Sequence, residues 1–150
     1  MAKFIIPIPM TSVSASVDLF ELVTSATRPT SIEYIWLDQK TLTSGRLNVN
    51  LITGTATSGS GGSTSTPICL TNTTATFGGT SPVEILNTTK ASTGTPVTVL
   101  PLVWNLVAGL VWLPAPEHRI IIPVSTRAVL RLEDAPASAM TAGGFMVIDE

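Results

Sequence analysis

Charge is what this chain has least of. Eight Lys and Arg and ten Asp and Glu make up 12% of 150 residues, about half of the roughly 25% usual for a globular domain. The net charge is −2, and no basic face can be assembled, which excludes general nucleic-acid binding. Cysteine is almost absent: Cys69 stands alone, so no intrachain disulfide staples the fold, and between Ile68 and Leu70 it reads as a small core residue. Histidine is equally scarce. His118 is the one imidazole, set in a turn beside Pro114 and Pro116, and one His, one Cys and scattered carboxylates cannot supply a metal site or a nucleophile with its base. No Ser sits in a G-x-S-x-G elbow. The sequence therefore predicts no catalytic residue, no metal ligand and no cofactor.

Long hydrophobic runs are missing too. Residues 91–116 carry no charge, but Thr93, Thr95, Pro96, Thr98, Pro101, Pro114 and Pro116 interrupt them. What remains is too short for the roughly 20 apolar residues of a membrane helix, and one or two fully buried strands, or an interface, are expected instead. Phe4–Met10 is too short and too proline-rich for a signal peptide, so synthesis and retention in a cytoplasm are expected.

What fills the space is Thr, Ser and aliphatic side chains. Thr is β-branched and polar without charge, which suits strands and lowers the cost of being covered by a neighbour. A hydrophobic fraction of 44% and a mean hydropathy of +0.42 are enough for a core, and the length is that of one domain.

Alternation marks the strands. In residues 31–38, Ile32, Tyr34 and Trp36 fall on one face and Glu33, Ile35 and Leu37 on the other. Leu47, Val49 and Leu51 alternate with Arg46, Asn48 and Asn50; Ala128, Leu130 and Leu132 alternate with Val129, Arg131 and Glu133. Residues 16–24, with Asp18 and Glu21 inside an apolar run, fit helix or strand, and the surroundings favour strand. Eight or nine short strands separated by Gly/Pro turns predict an all-β, single-domain β-sandwich, with the jelly roll as its natural eight-stranded form. Residues 54–66, rich in Gly, Ser and Thr, have little to bury and are expected to form a flexible loop.

Residues 1–12 are expected to be an extended N-terminal arm preceding a sandwich of residues 13–150. Pro7 and Pro9 forbid helix. Phe4, Ile5, Ile6 and Ile8 must be covered, either on the domain's own sheet or against a neighbouring subunit. Trp36, Trp104 and Trp112 lie in apolar segments and are expected in the core or at a subunit interface. Phe4, Ile5, Ile6, Ile8, Trp104 and Trp112 are thus the candidate interface residues.

The segments FIIPIPMTSVSASVDLFEL, SGSGGSTSTP, ILNTTKASTGT, NLVAGLVWLPAPE and STRAVLRLEDAPASAMTAGGFMVIDE together resemble a family of small tailed-phage and prophage virion structural proteins. The resemblance spans nearly the whole chain and carries no motif of a particular chemistry. It implies a capsid decoration, or cement, protein on the virion surface. Such a protein would bind the major capsid protein and bridge its subunits, most simply as a homo-oligomer (dimer or trimer), with no membrane and no nucleic acid as partner. A carbohydrate- or receptor-binding module of a head or tail fibre is the alternative, and would need exposed tryptophans.

Overall fold

A computed structural model describes residues 2–71, 74–80 and 82–150. Among them are twelve strands and a single 3-10 turn, Pro116–His118. The strands are β1 (Lys3–Val13), β2 (Asp18–Val23), β3 (Thr30–Gln39), β4 (Arg46–Thr53), β5 (Ser63–Ser65), β6 (Ile68–Cys69), β7 (Val83–Asn87), β8 (Val97–Asn105), β9 (Leu110–Trp112), β10 (Ile120–Ile122), β11 (Arg127–Leu132) and β12 (Met140–Asp149). All pairings are antiparallel. Sheet A runs β10-β3-β12-β1-β6, with β9 also on β3; sheet B runs β5-β7-β2-β11-β4-β8.

The connectivity is that of a jelly roll. Set aside β5, β6 and β7, and count β9 with β10 as one interrupted strand, since both pair β3. The eight remaining strands then lie in the order 1-8-3-6 in sheet A and 2-7-4-5 in sheet B, the double Greek key of that fold. The expected β-sandwich is thus the observed one. Its core lies between the sheets: Phe4, Ile6 and Ile8 of β1, Ile32, Ile35 and Leu37 of β3, and Met146 and Ile148 of β12 face Phe20, Leu22, Val49, Leu51, Trp104 and Leu130.

The N-terminal segment is not a separate arm. β1 pairs β12 from Lys3 to Ile8 and again from Thr11 to Val13, and Phe4, Ile6 and Ile8 are core residues. Backbone parity explains how Pro7 and Pro9 fit. Ala2 and Glu150 exchange both backbone hydrogen bonds, so up to the register shift that follows Ile8 even-numbered residues turn their N–H toward β12 and odd-numbered ones turn away from it. On that other side β6 pairs only Phe4 and Ile5. Pro7 and Pro9 therefore sit where no neighbour needs a donor.

Residues 91–116 are not the fully buried strands that were one of the two expectations. β8 is an edge strand rather than a fully buried one: Leu100, Leu102 and Trp104 turn inward, while Val97, Val99 and Val103 are exposed. The bond from Leu106 N–H to Gly45 O sets the parity, and Pro101 turns its missing donor outward, which blunts the edge against strand addition. Among the described residues no helix is long and apolar enough to cross a membrane.

Candidate interaction surface

The two outer faces of the sandwich are treated in opposite ways, and topology dictates the difference. Within sheet B, β4 and β8 lie at one side and β5 and β7 at the other. Residues 54–62, leading from β4 to β5, and residues 88–96, leading from β7 to β8, must each cross the outside of the sheet. They cross side by side and pair through Thr57 with Ser92 and Ser60 with Thr89.

The charges of sheet B hold this covering layer down. A register shift between Leu130 and Arg131 sets Arg131 directly opposite Asp18. Arg131 Nε and Nη2 donate to the two Asp18 oxygens at 2.5 and 3.1 Å, Ala91 N–H donates to Asp18 Oδ2 at 2.6 Å, and Arg131 Nη2 donates to Ala91 O at 2.7 Å. The Asp18 hydrogen bond, helped by the charges of Asp18, Glu133 and Glu21, raises the Arg131 pKa against the opposing effect of burial. Farther along β2, Glu21 ion-pairs with Arg127 Nε at 2.8 Å and accepts from Ser58 Oγ, Gly59 N–H and Asn87 Nδ2. Arg127 Nη1 in turn donates to Ala56 O at 2.6 Å. Ile52, Ala91 and Val129 form a small apolar cluster under the crossing chain.

This accounts for the ambiguous pattern of residues 16–24. β2 is covered on both faces, so Asp18 and Glu21 are buried along with Phe20 and Leu22. It also gives the glycines of residues 54–66 a purpose other than freedom. A Cβ on Gly59 would lie 2.5 Å from Thr89 O, and one on Gly62 would lie 2.2 Å from Ile85 O. The segment expected as a flexible loop is a closely laid backbone with specific partners, and its last residues form β5.

Among the described residues, sheet A has no such cover. Its registers place residues in rows across the outer face. One row reads Ile68, Ile5, Val147, Tyr34, and the next reads Pro7, Phe145, Trp36, Val111. Phe145 lies edge-on to Tyr34, with centroids 5.2 Å apart, and stacks on Trp36 at 5.4 Å. Ile5, Tyr34, Trp36, Phe145 and Val147 are half-buried. Ile68 and Val111 are exposed. At one end of these rows Lys3 and Arg119 hold Glu33 at 2.6 and 2.8 Å. Their side chains are 40% and 32% exposed against 7% for Glu33, so the cations are what a partner would meet there. At the other end Asp38 shares the outer face with Trp36, opposite Gly143.

Simple alternation does not find this face. It puts Ile32 with Tyr34 and Trp36, but a register shift pairs Val147 with Tyr34 and Ile148 with Ile32. Glu33 is the extra residue of this β-bulge, and the bulge turns Ile32 inward with Ile35 and Leu37. Of the candidate interface residues, Phe4, Ile6, Ile8 and Trp104 belong to the core. Trp112 is half-buried and packs against the core from the sheet edge, opposite Ile35. Only Ile5 lies on the outer face. Tyr34, Trp36, Phe145 and Val147 complete it, and their sequence signal is an alternation whose inner and outer sides cannot be told apart.

Among the described residues no three His, Cys, Asp or Glu side chains stand together as metal ligands would, and His118 is exposed in its turn. A depression of about 590 Å³ is open and lined by Gly59 to Thr64 with Glu84 and Asn87; Asn87 there already donates to Glu84 and Glu21. Compared with known proteins, the chain matches no family model, no curated protein and no solved structure.

Proposed function

We propose that this chain is a non-enzymatic decoration protein of a tailed-phage capsid, made in the host cytoplasm and carried on the virion surface. In this reading it binds the major capsid protein and stabilises the shell by bridging neighbouring subunits. The observation that carries the reading is the contrast between the two sheets: one outer face is covered by the chain's own crossing segments, the other is left apolar and aromatic. A monomer gains nothing from keeping Trp36, Phe145 and Val147 at a wet surface, whereas a protein that works by being packed against others does. The sequence resemblance to phage virion proteins and the low charge support the same reading. Cosedimentation with purified expanded shells tests it. Saturable binding to expanded shells and a raised shell melting temperature are expected; no binding to any shell form would overturn it.

One observation favours a second reading. Tyr34, Trp36 and Phe145 form an aromatic group that reaches solvent, and such a group can stack on sugar rings. A carbohydrate-binding module would be retained on a glycan array, and Trp36→Ala would abolish that retention while leaving the fold intact.

A further inference from the structure

We infer that residues 54–62 and 88–96 form a strap that opens as one unit while the sandwich stays folded, uncovering a second apolar patch, on sheet B. The inference goes beyond the proposed function and does not rest on it. No shell enters its argument or its test.

The two segments are bound to each other. Thr57 and Ser92 exchange both backbone hydrogen bonds, and so do Ser60 and Thr89. Ala56 N–H also donates to Ser92 O, and Thr95 N–H donates to Gly54 O. The Thr57 and Thr93 hydroxyls lie 2.7 Å apart. Two chains paired along their length form a local unit, the kind of element that opens together.

The hold of this ribbon on the sheet is almost wholly polar. Ala91 is the one aliphatic side chain it buries, and most of its other residues are exposed. Asp18 and Arg131 grip it at Ala91, Glu21 grips it at Ser58 and Gly59, and Arg127 grips it at Ala56. Water can replace each of these bonds once the ribbon lifts, so the net loss per bond is small. Parting the two sheets instead exposes the whole aliphatic core, for which water offers nothing. The ribbon is therefore the layer that opens first. A hollow of about 110 Å³, lined in part by Glu21, Ser58, Glu84 and Arg127, already reaches under its margin.

The ends of the ribbon are places where the chain turns sharply. The backbone is left-handed at Gly54 and Gly61, near the ends of the first segment, and at Leu86 and Gly94, which flank the second. A few residues that absorb a large change of dihedral angle are what a hinge requires. Leu86 is strained in that conformation, and the ladder of β2 with β7 skips it while staying in step on both sides.

Opening removes the cover from Ile52 and Val129, which are buried under the ribbon beside Ala91. With the strap closed the sandwich offers one apolar outer face, that of sheet A. With the strap open it offers apolar surface on both sheets, and a partner that binds sheet B selects that state.

Hydrogen exchange of the full chain, followed amide by amide by NMR, tests the inference. The amides of Thr57, Ser60, Thr89, Ala91 and Ser92 should share one protection factor, at least about a hundredfold below that of the ladder amides of β11 and β12. Ser58 is exposed on the strap, so Ser58→Ala leaves the sandwich folded while deleting a hydrogen bond to Glu21. It should speed exchange at all five amides about tenfold, the effect of losing one bond to a charged group. Ala91 and Ser92, on the other segment, should respond as Thr57 does, and β12 should not respond. Strap amides that exchange as slowly as those of β11 and β12 make the strap part of the global unit and overturn the inference. An effect of Ser58→Ala confined to residues 54–62 makes the two segments independent and equally overturns it.

Discussion

Asp18 and Arg131 stand directly opposite each other on β2 and β11, and both also bond the backbone of Ala91, one at its N–H and the other at its carbonyl. One ion pair thus joins two central strands to the chain that crosses over them. Asp18 is fully buried. Arg131→Met would leave its carboxylate without a counter-charge, at a cost of about 3–5 kcal/mol. Lys3→Met, at an ion pair whose cation is 40% exposed, should cost under about 1 kcal/mol. Urea unfolding of the two variants checks the order, and equal losses would contradict the role given to Asp18. Because the Arg131 pKa is raised, its contribution is complete below the unfolded pKa and is lost only as pH rises through the folded one, in strong alkali. Arg131 itself should therefore add no slope to stability between about pH 6 and 9.

The crossing layer gives Gly62 a measurable role. A Cβ there would meet Ile85 O at 2.2 Å, so Gly62→Ala has to displace backbone, and a loss of about 1–3 kcal/mol is expected. A freely moving Gly/Ser loop would tolerate the change or gain slightly from it. Thermal melting distinguishes the two.

Removing residues 2–9 should unfold the domain. The deletion takes away Phe4, Ile6 and Ile8, each worth about 1.5–3 kcal/mol when buried, together with the pairing partner of half of β12. That loss is comparable with the roughly 5–15 kcal/mol of a whole domain. A truncated chain with a cooperative melt and a strand-type circular dichroism spectrum would restore the arm reading.

Trp104 and Trp112 should respond differently to the same substitution. Trp104 has no exposure and its Nε1 has no hydrogen-bond partner among the described residues, so Trp104→Arg should give no folded protein. Trp112 sits at the sheet edge and is half-buried, and an arginine there can carry its head to water. Trp112→Arg should fold with a melting temperature lower by several degrees. Soluble expression and melting curves of the two variants check this.

Much of the architecture is legible in the residues themselves. Alternation in 46–51 and 127–133 places Leu47, Val49, Leu51, Ala128, Leu130 and Leu132 in the core, where they lie, because side chains in a strand point to opposite faces whatever the tertiary context. The punctuation by Gly and Pro, and the absence of any convincing helical period, determine an all-β sandwich. Scarce charge determines a protein with little ionic chemistry to offer.

Only the tertiary structure decided which faces are covered. A one-residue bulge at Glu33 reverses the side on which Ile32 lies, and no local preference marks it. Asp18 and Glu21 left residues 16–24 ambiguous between helix and strand; their burial follows from residues 54–62 and 88–96 crossing above them, a consequence of strand order across the whole sheet. Phe4, Ile6 and Ile8 needed cover in either reading; pairing with β12, at the opposite end of the sequence, decided that the cover is the domain itself. Tyr34, Trp36 and Phe145 alternate as core residues do. They are left on the outside because the connections that cover sheet B have no counterpart over sheet A among the described residues, and an alternating pattern specifies two faces without specifying which of them the rest of the chain will cover.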